Sequence, residues 1–204
     1  MRHSLTDQDA RRLLGGGPVV LVTTSWRGVA NVMPAAWSMP LSIEPPLIGI
    51  AVHQSRHTHD MIRFSEEFAL NIPSRRLLNH CQYFGMFSGR EVQKIEAAKL
   101  PTFGARKVDA PLLEGCVGYI ECGLQDSMRV GDHTLFVGKV VAVSAEKDAF
   151  SETWLLEDDD EKPLHYLGLD YYAILGGRLQ AKLRTMEGEV EMMEDEEEER
   201  AEQE

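Results

Sequence analysis

Apolar and polar positions along this chain alternate more often than they recur at every third or fourth residue. PVVLVTTS (18–25) is rich in β-branched residues and reads as a strand, and the WRGV that follows supplies a turn at Gly28. The stretch from 30 to 52 predicts a second strand, a pause, and a third strand in LIGIAV. That third run is apolar on both faces, as suits a strand deep in a closed or doubly covered sheet. FALNIP is strand-like and stops at Pro73. GCVGYIECGLQDSMRV and HTLFVGKVVAVSAE are long strands joined tightly at Gly131-Asp132, a hairpin signal. Helical spacing is confined to shorter pieces. LTDQDARRLL opens on a Thr6/Asp9 capping arrangement and is stopped by Gly15 to Gly17. HTHDMIRFSEEF is a short amphipathic helix, and LLNHCQYFGMF and REVQKIEAAKL look helical on either side of Ser88-Gly89. YLGLDYYAILGG closes the body, and no internal repeat is visible. Antiparallel strands with a few helices predict a mainly β protein, a barrel with appended helices and not a doubly wound parallel sheet.

Charge changes this picture only at one end. The net charge is −12, yet residues 187–204 hold eleven acids and one arginine, which leaves the rest of the chain at −2. The expected organisation is one domain over 1–180 and an acidic tail over 181–204, self-repelling and disordered. Nucleic acid is not an expected partner, because a phosphate-seeking surface needs net Lys and Arg. Three cysteines with no CxxC pair suit buried, reduced thiols in the cytoplasm better than a disulfide framework. No apolar run approaches the length of a membrane span, and no signal-peptide core precedes the body, so a cytoplasmic protein without a membrane partner is expected.

Three clusters carry candidate chemistry. Ala35-Ala36-Trp37-Ser38 lies between Pro34 and Pro40, where small residues would let a flat ligand approach the main chain. Prolines also deprive a strand of ladder partners, which frees N–H groups for a ligand; an ordinary proline-bearing edge strand has the same composition. Ser55-Arg56-His57-Thr58 stands at a strand-to-helix junction. There unpaired N–H groups, the positive helix end, an arginine fork and two hydroxyls suit a phosphate, and equally suit an N-cap beside a solvated arginine. Ser88-Gly89-Arg90 with Lys94 repeats the hydroxyl–glycine–cation pattern at a second helix start. Histidines 53, 57, 59 and 133 lack the cysteines or carboxylates that would complete a metal set, so no metal is expected. GxSxG, Walker and GxGxxG patterns are absent.

Taken in order, the segments PVVLVTT, ANVMPAAWSMPLS, EPPLIGIAV, SR.T, FALNIP, SGRE, PLLE, IECGL and GDHTLFVGKV closely resemble the flavin reductase-like, FMN-binding split-barrel family that includes flavoredoxin. The resemblance runs from about residue 18 to about residue 177. It implies an antiparallel split β-barrel of six or seven strands, a homodimer, and FMN as cofactor near the subunit interface. By the same resemblance Ala36, Trp37 and Ser38 line the flavin ring and Ser55, Arg56 and Thr58 hold the phosphate. Asn31, Asn71, Ser88 and Lys94 complete the cofactor contacts. The implied activity is NAD(P)H-dependent reduction of flavin, ferric iron or another small acceptor through bound FMN. The alternative is a flavoredoxin-type electron carrier with a protein donor and no nicotinamide site. His133, next to Gly131-Asp132, is the candidate catalytic side chain at the open face, and it also suits a hairpin histidine without a chemical role.

Overall fold

The computed structural model describes residues 3–179, together with the strands Leu183–Met186 and Glu189–Met192. Its centre is a seven-stranded sheet in which every pairing is antiparallel. Along the chain these strands are β1 (Val20–Trp26), β2 (Val29–Ala35), β3 (Ser38–Ser42), β4 (Leu47–His53), β5 (Glu67–Pro73), β8 (Cys116–Val130) and β9 (His133–Ala145). The short strands β6 (Thr102–Phe103) and β7 (Leu112–Leu113) pair with each other, as do β10 (Leu164–Gly168) and β11 (Tyr171–Ile174). The order across the sheet is β2-β1-β5-β8-β9-β4-β3.

That order explains the proline-rich pause. β2 and β3 are the two edges of the sheet, yet only Ala36 and Trp37 separate them in sequence. The sheet must therefore roll until its edges almost meet, which gives a barrel split along this one seam. Pro34 and Pro40 lie in the edge strands, where a missing N–H costs no ladder bond on the open side.

Period-two patterning separates two cores. Val20 and Val22 point into the barrel with Ile50, Val52, Phe68, Leu70 and Phe136. Leu21 points outward to a second cluster with Val32, Leu77, Cys81, Phe84 and Tyr119. Helix α1 (Ala10–Leu13) follows a 3-10 turn over Asp7–Asp9, with the Thr6/Asp9 capping box formed as expected. Helix α2 (His57–Ser65) contributes Ile62 to the barrel core, and α3 (Leu78–Met86) contributes Cys81 and Phe84 to the outer one. All three cysteines are buried and free. Burial pushes the Cys81 and Cys122 thiols up to about 12, which makes them packing groups and not nucleophiles.

Two sequence expectations need correction. β3 exists as a separate edge strand where the pattern suggested only a pause. The helix expected over 90–100 shrinks to α4 (Lys94–Ala97). Its first turn is lost because the Ser88 carbonyl accepts from both Glu91 N and Val92 N at 3.1 Å, while the Arg90 side chain is drawn to α2. Within the stretch expected to be an acidic tail, β12 (Leu183–Met186) and β13 (Glu189–Met192) pair as a hairpin. The remainder of the tail, and the boundary set at 180/181, lie outside the described residues. Among the described residues no helix is long and apolar enough to cross a membrane.

Candidate functional site

The site grows from the end of β4. His53 closes that strand, the chain turns through Gln54 to Arg56, and α2 begins at His57 with Arg56 as its N-cap residue in extended conformation. No side chain caps this helix. The first-turn N–H groups of His57 and Thr58 have no helical partner and form the positive end of the helix dipole. Asn31 on β2 reaches across to donate from Nδ2 to Thr58 Oγ1 at 2.9 Å. Arg90 clasps the same junction, donating to the Ser55 carbonyl and to Asp60 Oδ2, each at 2.7 Å.

Opposite this helix start stands Lys94, 5% exposed, donating from Nζ to the Phe84 carbonyl at 2.8 Å. Burial, and secondarily the charge of Arg56, bring its pKa down from 10.5 to about 8. Arg56 makes no side-chain hydrogen bond or ion pair among the described residues. Two cations thus approach each other with no carboxylate between them. A cavity of about 220 Å³ lies here, lined by Asn31, Ser55, Arg56, Thr58, Ser88 and Lys94 among others. His57 also lines it. Its Nδ1 is buried without a partner among the described residues, and burial followed by the charge of Arg90 lowers its pKa. Gly89 forms part of the wall, and a Cβ there would overlap the Asn31 side-chain oxygen and stand 2.9 Å from the His57 ring.

The small polar cavity adjoins one of about 410 Å³, with which it shares Ser55 and Arg56, and that one shares Ala36, Trp37, Ala51, Arg11 and Tyr166 with a third of about 570 Å³. Neither the Ala36 nor the Trp37 N–H donates to another described group, while the Trp37 carbonyl accepts from Ala51 N at 2.9 Å. The seam therefore offers free main-chain donors beside half-exposed Trp37. His133, the first residue of β9, lies against Trp37 with ring centroids 4.7 Å apart. Asp132 Oδ1 is 2.6 Å from His133 Nδ1. A carboxylate only accepts, so Nδ1 carries the proton in the neutral ring and Nε2 is left as its basic nitrogen. His53 joins the same group: its Nδ1 accepts from Ser55 N at 3.1 Å, and its Nε2 is 3.7 Å from Asp132 Oδ2.

Of the residues selected from sequence, Asn31, Ser55, Arg56, Thr58, Ser88 and Lys94 converge on the small cavity, and Ala36, Trp37 and Ser38 line the large one. His133 joins the intermediate one. Asn71 does not come to the groove. It is fully buried on β5, donating to the Leu21 carbonyl and Thr23 Oγ1 at 3.0 Å and accepting from Leu113 N at 2.8 Å. Its amide is consumed in tying β1, β5 and β7 together. His53, weighed from sequence only as a metal ligand, stands in this groove, as do Asp132, Tyr166, Arg11 and the clasp made by Arg90, none of which the sequence singled out. Proximity to Ser55 and His133 could have raised His53 and Asp132, whereas nothing local marks Tyr166 or Arg11.

Fold and site together define a split-barrel β protein with a cation-lined groove along its open seam. The chain belongs to the flavin reductase-like domain family, whose model matches residues 14–174. It is 35% identical to the uncharacterized protein YddH of Escherichia coli (strain K12) over 84% of this chain and 94% of that one. Among solved structures, flavoredoxin of Desulfovibrio vulgaris (Miyazaki F) superposes with a TM-score of 0.76 at 26% identity, covering 88% of this chain and 96% of its own. An FMN-binding protein from Thermus thermophilus with bound 1-cyclohex-2-enone gives 0.75 at 27% identity, over 89% and 99% respectively.

Proposed function

We propose that this protein is an FMN-dependent oxidoreductase that passes reducing equivalents from NAD(P)H to a small acceptor. The observation that carries the reading is the pairing of Arg56 with buried Lys94 at an uncapped helix start, with no carboxylate to neutralise them. That donor set fits a phosphate monoester, and the adjoining seam fits a flat ring whose polar edge takes hydrogen bonds from Ala36 and Trp37 N–H. When bound, FMN would supply the hydride- and electron-accepting centre. Arg56, Lys94 and the α2 N–H groups would hold the phosphate, while Asn31 keeps Thr58 aimed at the cavity. His133 Nε2, with its ring oriented by Asp132, would hold or release a proton beside the seam. Burial of all three thiols, none of them in a disulfide, supports a reducing, cytoplasmic setting.

The purified protein should be yellow and release FMN, not FAD, by mass spectrometry. Anaerobic mixing with NADH or NADPH should bleach the flavin. Bleaching by neither, with FMN bound, would favour a carrier with a protein donor, and failure to bind added FMN would defeat the proposal. A homodimer is part of the reading, because edge strand β3 exposes Met39 and Leu41, and Ile43 in the turn that follows it is 95% exposed. Light scattering should return twice the chain mass.

Lys94 makes the site pH-dependent. With its pKa near 8 in the ligand-free protein, the charge that attracts phosphate is lost as pH rises through 8, so FMN affinity should fall by up to about tenfold per pH unit above it. The stability effect runs the other way. Between about 8 and 10.5 the folded protein binds fewer protons at Lys94 than the unfolded chain does, so this group makes the ligand-free protein more stable as pH rises across that window. Lys94→Met should flatten both trends, measured by flavin fluorescence titration and thermal melts.

A further inference from the structure

The phosphate-suited cavity accounts for Arg56 and Lys94 and leaves unexplained the cations that α1 brings to the adjoining cavities, the nearer of which Arg56 also lines. Arg11 on α1 lines both the 410 Å³ and the 570 Å³ cavities, and Arg12 lines the second. No carboxylate lines either one, in a chain whose net charge is −12. Arg12 is partly engaged by Asp9 at 3.5 Å, whereas the Arg11 side chain has no hydrogen bond or ion pair among the described residues.

The position of α1 is not incidental. The glycine run behind it is laced to β10: Gly16 N donates to the Tyr166 carbonyl at 3.0 Å, Tyr166 N to the Gly17 carbonyl at 3.1 Å, and His165 Nδ1 lies 2.8 Å from the Gly16 carbonyl. This lacing sets Arg11 and Tyr166 on one rim of the groove and Trp37 and His133 on the wall. An aromatic wall with a free guanidinium at its margin recognises a flat molecule carrying a negative group.

We propose that Arg11 selects the second ligand of the groove, a flat aromatic molecule bearing a carboxylate or phosphate, which lies against Trp37 and His133. The inference rests on the reading of the groove as an FMN site, with Arg11 acting on the ligand that meets the cofactor and not on the cofactor itself.

The test uses the full-length FMN-loaded protein and follows perturbation of the flavin absorbance. The carboxylate arm compares 4-hydroxybenzoate with neutral 4-hydroxybenzamide, and the phosphate arm compares nicotinamide mononucleotide with nicotinamide riboside. At least one anionic probe should bind more tightly than its partner lacking the anionic group, and the arm that does so identifies the recognised group. Arg11→Ala should reduce that anion's affinity roughly fivefold to tenfold, leave the partner probe unchanged and leave the FMN dissociation constant unchanged. Arg11→Lys should retain part of the preference. Equal binding within both probe pairs, or an unaltered preference in Arg11→Ala, would overturn the proposal while leaving the flavin site standing. Weaker FMN binding in Arg11→Ala would assign the residue to the cofactor and also overturn it. A wild-type protein that does not bind FMN would remove the underlying reading and this inference with it.

Discussion

Replacing Arg56 by alanine is expected to weaken FMN binding about ten- to a hundredfold and to leave riboflavin binding nearly unchanged. The side chain is exposed at the N-cap of α2 and engages no other described group, so its removal leaves no internal partner unsatisfied. What is lost is a charge-assisted, fork-shaped contact to phosphate, worth about 1.5–3 kcal/mol. At 1.4 kcal/mol per decade that range gives the stated loss. Riboflavin lacks the phosphate, so the ratio of the two losses is the diagnostic quantity. Ligand-free stability should hardly move, since α2 is anchored by Met61 and Ile62 and not by its cap. Equal weakening of both flavins would indicate general damage to the groove. No change in either would return Arg56 to the solvated surface.

Gly89→Ala should have the larger effect, a loss of FMN affinity of about a hundredfold or more, because it remodels the cavity wall instead of deleting one contact. The added methyl would overlap the Asn31 side-chain oxygen and crowd the His57 ring. Asn31 is 5% exposed and tied to Thr58, so moving aside disrupts the bond that supports the cavity wall. Riboflavin binding should suffer less than FMN binding, since the seam at Ala36 and Trp37 is untouched. Gly104→Ala serves as the control, because a methyl there meets nothing within 4 Å. Unaltered FMN affinity in Gly89→Ala, with wild-type melting behaviour, would show that the small cavity is not where the phosphate sits.

Much of this architecture is written locally. Alternation of side chains sets β1 with Val20 and Val22 on one face and Leu21 on the other, and no distant residue is needed to read it. The Thr6/Asp9 box and the β8–β9 turn at Gly131 are likewise decided within a few residues. The phosphate-suited chemistry at Ser55 to Thr58 is local too, because a helix start presents its own N–H groups. Other features depended on closure of the sheet. The pause between Pro34 and Pro40 could be understood only once β2 and β3 proved to be opposite edges of one sheet, a fact about strand order that periodicity does not encode. Asn71 and Asn31 are the same residue type in similar strand contexts. One spends its amide inside the core and the other supports the cavity, and the choice is made by which neighbours the barrel brings to each. Arg11 and Arg56 meet on one groove through the lacing of Gly16 and Gly17 to β10. The sequence by itself determined elements, faces and the candidate chemistry of single segments, since these follow from periods of two and 3.6 residues and from short-range hydrogen bonding. Which segments share a wall was decided by long-range strand pairing, whose partners lie tens of residues apart and are selected by the burial of the whole barrel at once.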